Sequence, residues 1–197
     1  MDDSENSKKI SICGTNNKYQ MNKILNKNNL PKEQKKRVVT EKWCFTDEYY
    51  AYENQIKLIT TLQNKTNEEK QKNEEILNVI KIIIQEINKK ISGYKQQDII
   101  KKKLNIEKFI TFESVIDKMM DCQLKCRYCN ENMNVLYDLK REMKQWSVDR
   151  IDNDNGHNYD NFHLACLDCN LKRRRRTDEK FLFTKQLNII KQENTLL

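Results

Sequence analysis

Long apolar runs are missing from this chain: the longest, 79–84, is interrupted by Lys81 and falls far short of a membrane span. An embedded helix is therefore not expected. The opening residues, MDDSENSKK, are polar and partly acidic, which does not fit a secretory leader. We therefore expect a reducing intracellular setting, nucleus or cytoplasm, where seven cysteines point to metal ligation or buried thiols rather than disulfides. Proline occurs once, at Pro31, and histidine only twice. Apolar residues make up 37% of the 197, too few for a chain packed throughout, so one compact core with loose flanks is expected.

Charge is what the chain has instead. Its net charge is +8, its pI is near 9.0, and 34% of its residues are charged, which makes an acidic polymer the natural partner class.

The first stretch, 1–42, is rich in Asn, Lys and Ser and poor in apolar anchors, and reads as a disordered basic tail. A helical extension follows over 43–108. Tyr52, Ile56 and Ile59 recur at helical spacing, as do Ile76, Ile80, Ile83, Ile87 and Ile91, and Gly93 sits where a C-terminal cap belongs. The polar stretch QNKTNEEKQKNEE between them reads equally as solvated helix or as a break. Such stripes usually form core, and self-association or a protein partner is the other use. After the lysines at 101–103, ITFESVIDKMM reads as a short helix capped by Thr111, with Val115, Ile116, Met119 and Met120 inward.

Cys126-x2-Cys129 and Cys166-x2-Cys169 form two pairs with 36 residues between the inner cysteines. Two such knuckles place four thiolates around one zinc, and a closed four-sulfur shell leaves no position for substrate, so the ion would be structural. Cys122 could substitute as a ligand, while Cys13 and Cys44 look unrelated.

Between the knuckles, QWSVDRID reads as a strand, Asn155-Gly156 as a turn, and NFHLAC as a second strand leading to a helix near Asn170. Asp149, Asn161 and Asn170 stand at the corners. This arrangement, DRIDND-GHN-x2-N-x4-C-x2-CNLKRR, resembles the ββα-metal core of the HNH endonucleases, including HNH-like proteins carried by large DNA viruses of eukaryotes. The resemblance covers about 109–185 and implies an α+β, zinc-stapled domain acting as a metal-dependent endonuclease on DNA. The segment 186–197 would be a helix end and tail.

Hydrolysing a phosphodiester calls for a hard divalent ion and a base. By resemblance, Asp149 and Asn170 would ligate Mg²⁺ or Mn²⁺, and Asn161 would hydrogen-bond across the loop. The family's general-base histidine is replaced by Arg150, a guanidinium that stays protonated at neutral pH. Either cleavage is lost, leaving a nucleic-acid binder, or another group acts as base. His157 in the loop is the preferred candidate, with His163 and Asp152 as alternatives. Asp152 could also serve as a second metal ligand, and Arg150 could hold the scissile phosphate.

The run LKRRRRTDEK adds a basic surface. On a helix, Asn170, Arg173 and Arg174 share a face, while Lys172, Arg175 and Arg176 point elsewhere, as solvated groups or a nuclear-import signal. Nothing in the sequence looks able to read bases. Phe181, Phe183, Leu187 and Ile190 suggest a last helix packed back on the core.

Overall fold

The computed structural model describes residues 34–63 and 74–187, with positions 14, 15, 17, 18 and 21. Most of the expected tail, Cys13, the stretch 64–73 and Ile190 lie outside the described residues. Two units are distinguished, Met1–Lys35 and Lys36–Leu197. In the first, Lys18 N–H donates to the Gly14 carbonyl at 3.0 Å, one helical turn.

The second unit is α+β. Among the described residues it contains five helices and one two-stranded antiparallel sheet: α1 Tyr52–Gln63, α2 Glu74–Ile100, α3 Phe112–Asp121, β1 Trp146–Arg150, β2 Phe162–Cys166, α4 Leu167–Arg173 and α5 Asp178–Gln186. Two 3₁₀ turns, Thr40–Lys42 and Asp47–Tyr50, precede them. No helix among the described residues is long and apolar enough to cross a membrane.

A single core joins the helices to the cysteine-rich part. Ile59 of α1, Ile83 and Ile87 of α2, Val115 and Met119 of α3, Trp146 of β1 and Cys169 of α4 all belong to it. The helices assigned to an extension therefore share their core with the sheet. The unit also begins earlier than 43. Arg37 stacks on Tyr137 at 4.5 Å, and its guanidinium pairs with Glu86 at 2.5 Å.

Helix α3 starts where its sequence says it should. Thr111 Oγ1 accepts from Ser114 N–H at 3.2 Å, and Ser114 Oγ accepts from Thr111 N–H at 2.9 Å, a reciprocal cap.

Helix α2 does not end at Gly93; it continues to Ile100. The reason lies in tertiary contacts beyond the glycine. Lys90, Tyr94 and Asp98 recur every four residues and so share one face. Lys90 Nζ donates to the Trp146 carbonyl and, at 2.9 Å, to Gln145 Oε1. Tyr94 Oη accepts from Val148 N–H at 3.0 Å. Asp98, fully buried, accepts from His157 N–H at 2.6 Å. The outer edge of β1 and the loop beyond it thus find partners on α2. The polar groups of an open sheet edge are satisfied without a third strand.

Among the expected apolar residues of the last helix, Phe181 is buried and meets the Tyr128 ring edge-on at 4.8 Å. Phe183 is instead 67% exposed and Leu187 is 49% exposed. Residues 181 and 183 lie about 200° apart on a helix, so one core cannot receive both.

Two glycines make opposite tests. A Cβ at Gly93 would meet nothing within 4 Å, so Gly93→Ala should raise stability by about 0.5–1 kcal/mol. A Cβ at Gly156 would stand 2.4 Å from the Lys103 carbonyl oxygen and 2.9 Å from Asp98 Oδ2. Gly156→Ala should therefore cost about 1–3 kcal/mol. Urea midpoints of the two variants against wild type check both signs.

Candidate metal centre and basic cleft

The metal centre is assembled from two local turns. In the first knuckle, Cys126 N–H donates to Glu131 O at 2.9 Å and Asn130 N–H to Cys126 O at 3.0 Å. Asn130 itself takes the left-handed conformation (φ 57°), which asparagine tolerates. In the second, Cys166 closes β2 and caps α4, its Sγ accepting from Cys169 N–H at 3.5 Å. Cys126 Sγ receives N–H groups from Tyr128 at 3.5 Å and Cys166 at 3.3 Å.

All four Sγ atoms, of Cys126, Cys129, Cys166 and Cys169, lie within 4.8 Å of one another. Tetrahedral Zn–S bonds of about 2.3 Å require S···S separations near about 3.8 Å, so a slight contraction suffices. The cluster could hold a metal such as zinc, with every ligand position filled by protein. Thiol hydrogen bonding and N–H donors pull Cys126 down to about 5, while burial and its thiol neighbours push Cys169 up to about 12. Four thiolates at this spacing need a cation between them. Cys122, whose Sγ lies 3.6 Å from Met119 O, and exposed Cys44 stand outside the cluster.

The hairpin between the knuckles is held by its own polar side chains. Asn161 Oδ1 accepts from Asp152 N–H at 2.9 Å, and Asn161 Nδ2 donates to Asp152 O and Gly156 O, both at 3.0 Å. Asp152 accepts from Asp154 N–H at 2.9 Å and Asn155 Nδ2 at 2.7 Å, which folds the loop tip. Arg150 Nη1 donates to Asn153 O at 3.3 Å and Asn155 O at 3.0 Å. Asn170 Nδ2 ties α4 to β1 through Ser147 Oγ at 3.0 Å and Val148 O at 3.1 Å.

The two histidines part company. His157 is buried, its Nδ1 lies 2.7 Å from Asp98 Oδ1, and its ring stacks on Tyr94 at 4.7 Å. It fastens the loop to α2. His163 pairs in register with Asp149, so both project on one face of the sheet, and His163 Nε2 lies 3.8 Å from Asp178 Oδ2.

Asp149 is 5% exposed and both of its oxygens are engaged. Arg173 Nη1 donates to Asp149 Oδ1 at 2.7 Å, and Tyr128 Oη lies 2.5 Å from Asp149 Oδ2 and 2.8 Å from Asp178 Oδ1. Arg173 also donates from Nη1 to Arg150 O at 2.6 Å and from Nη2 to Ile151 O at 2.7 Å. Burial pushes the Asp149 carboxyl up, against the downward pull of Tyr128 and Arg173. Removing one partner of such a buried pair typically costs about 3–5 kcal/mol. Each Asp149 oxygen thus accepts a hydrogen bond, and the Asn170 amide nitrogen is turned to β1.

Beside this cluster lies a cleft of about 910 Å³, lined by Lys101, Lys103, Arg150, Arg173, Arg174, Arg175 and Arg176, with Asp152 and Asp154. Seven cationic side chains face two carboxylates there. The helical face expected for Asn170, Arg173 and Arg174 stops short, because α4 ends at Arg173. Arg174 takes φ 55°, ψ −116°, a glycine-like conformation, so the chain turns and brings Arg175 and Arg176 to the cleft. Lys172 lies instead along an adjoining groove with Leu171, Phe181 and Lys185, and pairs with Asp168 at 2.7 Å.

No family model, curated protein or solved structure matches this chain. The geometry is therefore the basis for a functional reading. Sequence reasoning missed Lys101 and Lys103, taken there only as a boundary, and missed Tyr128, Asp178 and Asp98 as partners of the hairpin. The triple lysine was the one visible signal.

Two outcomes follow. Bound structural zinc contributes about 10–16 kcal/mol, comparable to the whole stability of a domain. A strong chelator, or Cys169→Ser, should therefore release zinc and unfold the hairpin, seen as loss of Trp146 fluorescence shift and of metal by dye assay. The second outcome concerns pH. Burial lowers the His157 pKa below its ordinary value of about 6.5, despite Asp98. The folded chain then binds fewer protons there than the unfolded chain, so this stability is present above about pH 6.5 and lost on acidification. The stability gap between wild type and His157→Asn should narrow between about pH 7.5 and about pH 5.5. A gap that widens would show the ring to be charged.

Proposed function

We propose that this chain is an HNH-like, zinc-stapled module that binds the DNA backbone in its basic cleft and does not cut it. The observation that carries the reading is the cleft itself, where cations from the turn after α2, the hairpin and the α4–α5 junction converge around a volume of about 910 Å³. Converging guanidinium and ammonium groups match phosphates, and binding releases the counterions condensed on DNA. The lining offers cations and turn backbone but no helix or strand shaped for base edges, which favours weak sequence preference.

Most of the groups a cleavage reaction would call on are otherwise engaged, His163 with its 3.8 Å contact to Asp178 being the exception. Asp149 is held by Arg173 and Tyr128, His157 by Asp98, Asp152 by its own turn, and Arg150 by loop carbonyls. A second reading, metal-dependent endonuclease action, is favoured by one observation: Arg173 Nε is buried without a partner. An imperfectly satisfied guanidinium is one that DNA could draw out of its seat.

Affinity should fall steeply with salt, and Lys101→Ala or Arg175→Ala should weaken binding alike on all sequences while lowering the salt slope by about 1 each. The zinc-loaded protein should leave supercoiled plasmid intact in Mg²⁺ or Mn²⁺, no differently from Asp149→Ala and Asn161→Ala. Metal-dependent nicking abolished by both variants would establish the second reading instead. Affinity that is insensitive to salt would count against both.

A further inference from the structure

We infer that the Arg173 guanidinium serves as a built-in cation for Asp149, filling the seat that a divalent ion would otherwise take between this carboxylate and the hairpin backbone. The inference concerns the cleft of the proposed function, but it stands on the geometry of the Asp149 cluster and not on DNA binding.

The seat is composed of oxygen. Asp149 Oδ1 at 2.7 Å, Arg150 O at 2.6 Å and Ile151 O at 2.7 Å surround the two terminal nitrogens of Arg173. One carboxylate and two carbonyls grouped around one side chain make a donor set suited to a hard cation. Here a planar guanidinium answers it, with hydrogen bonds to all three. Arg173 is 1% exposed, so it is a component of the interior and not a surface side chain resting on an acid.

Its neighbours reinforce the placement. The next residue, Arg174, is held in a strained backbone conformation, φ 55° and ψ −116°, at the point where α4 ends. A non-glycine residue stays there only when its surroundings over-determine it. Asn170, on the same short helix, anchors that helix to Ser147 and Val148, which fixes the depth at which Arg173 enters. Tyr128 takes the remaining Asp149 oxygen at 2.5 Å. The cleft lining also carries Lys101, Lys103 and Arg150, whose charge repels an approaching dication. A permanently protonated group in the seat and further cations beside it make the seat independent of metal supply.

The test uses the full, zinc-loaded chain and Mn²⁺ alone as probe, read as paramagnetic broadening of ¹⁵N–¹H signals. In wild type, signals of Arg173 Nε, Tyr128 and Ile151 should keep their intensity at one equivalent of Mn²⁺. In Arg173→Ala the Tyr128 and Ile151 signals should lose most of theirs, and adding Asp149→Asn to that variant should restore them. Selective broadening of these signals in wild type overturns the inference, whatever the variants do, so misfolding of Arg173→Ala cannot shelter it. A folded Arg173→Ala that gains no Mn²⁺ site overturns it as well. DNA affinity is measured separately, and its absence would sink the proposed function while leaving the Mn²⁺ result to stand.

Discussion

A sheet of two five-residue strands has no stability of its own, and how its edge and ends are held governs the rest of the folded unit. Among the described residues the outer edge of β1 is closed by a one-residue bridge to Asn134 and by side chains, not by a third strand. Lys90, Tyr94 and Asp98, spaced every four residues on α2, meet the Trp146 carbonyl, the Val148 N–H and the His157 N–H. At the other end, the two knuckles bring four sulfurs together and tie the start of α4 to the turn after α3. Between these two fixings the hairpin loop is rigid enough to carry a cleft.

This edge arrangement also explains why a long helix passes through Gly93. Helix propensity at a single glycine costs about 1 kcal/mol, whereas Tyr94 and Asp98 beyond it satisfy buried backbone groups whose loss would cost more. Lys90 belongs to the same face, its amine lying over the Trp146 ring at 4.6 Å and the Tyr137 ring at 5.4 Å. Burial pulls that amine down to about 7, with Glu86 opposing.

Charge in the unit is sorted by depth. Arg173 and Asp149 neutralise one another in the interior, Tyr128 links Asp149 to Asp178, and Arg127 reaches Asp178 from outside at 3.5 Å. The other arginines and lysines of the cleft stand around solvent, where they repel one another unless a polyanion lies among them. An acidic partner would thus relieve a strain that the fold itself creates.

The sequence by itself determined the α+β class, the four-cysteine cluster, the Thr111 cap and the strand–loop–strand–helix order, because each rests on residues close in the chain or on spacings with one chemical meaning. Asn161 as the loop's fastener came from the family resemblance, and its amide does bond across the loop. Only the tertiary structure decided where α2 ends, that His157 is locked under it by Asp98, and that Lys101 and Lys103 join the arginines around one cleft. It also decided that Arg173 turns inward to Asp149 while Arg174 turns out, two neighbours of identical chemistry with opposite roles. The physical reason is common to all of these: each depends on a partner far away in sequence, and a side chain's charge and shape do not reveal which distant group will desolvate or neutralise it.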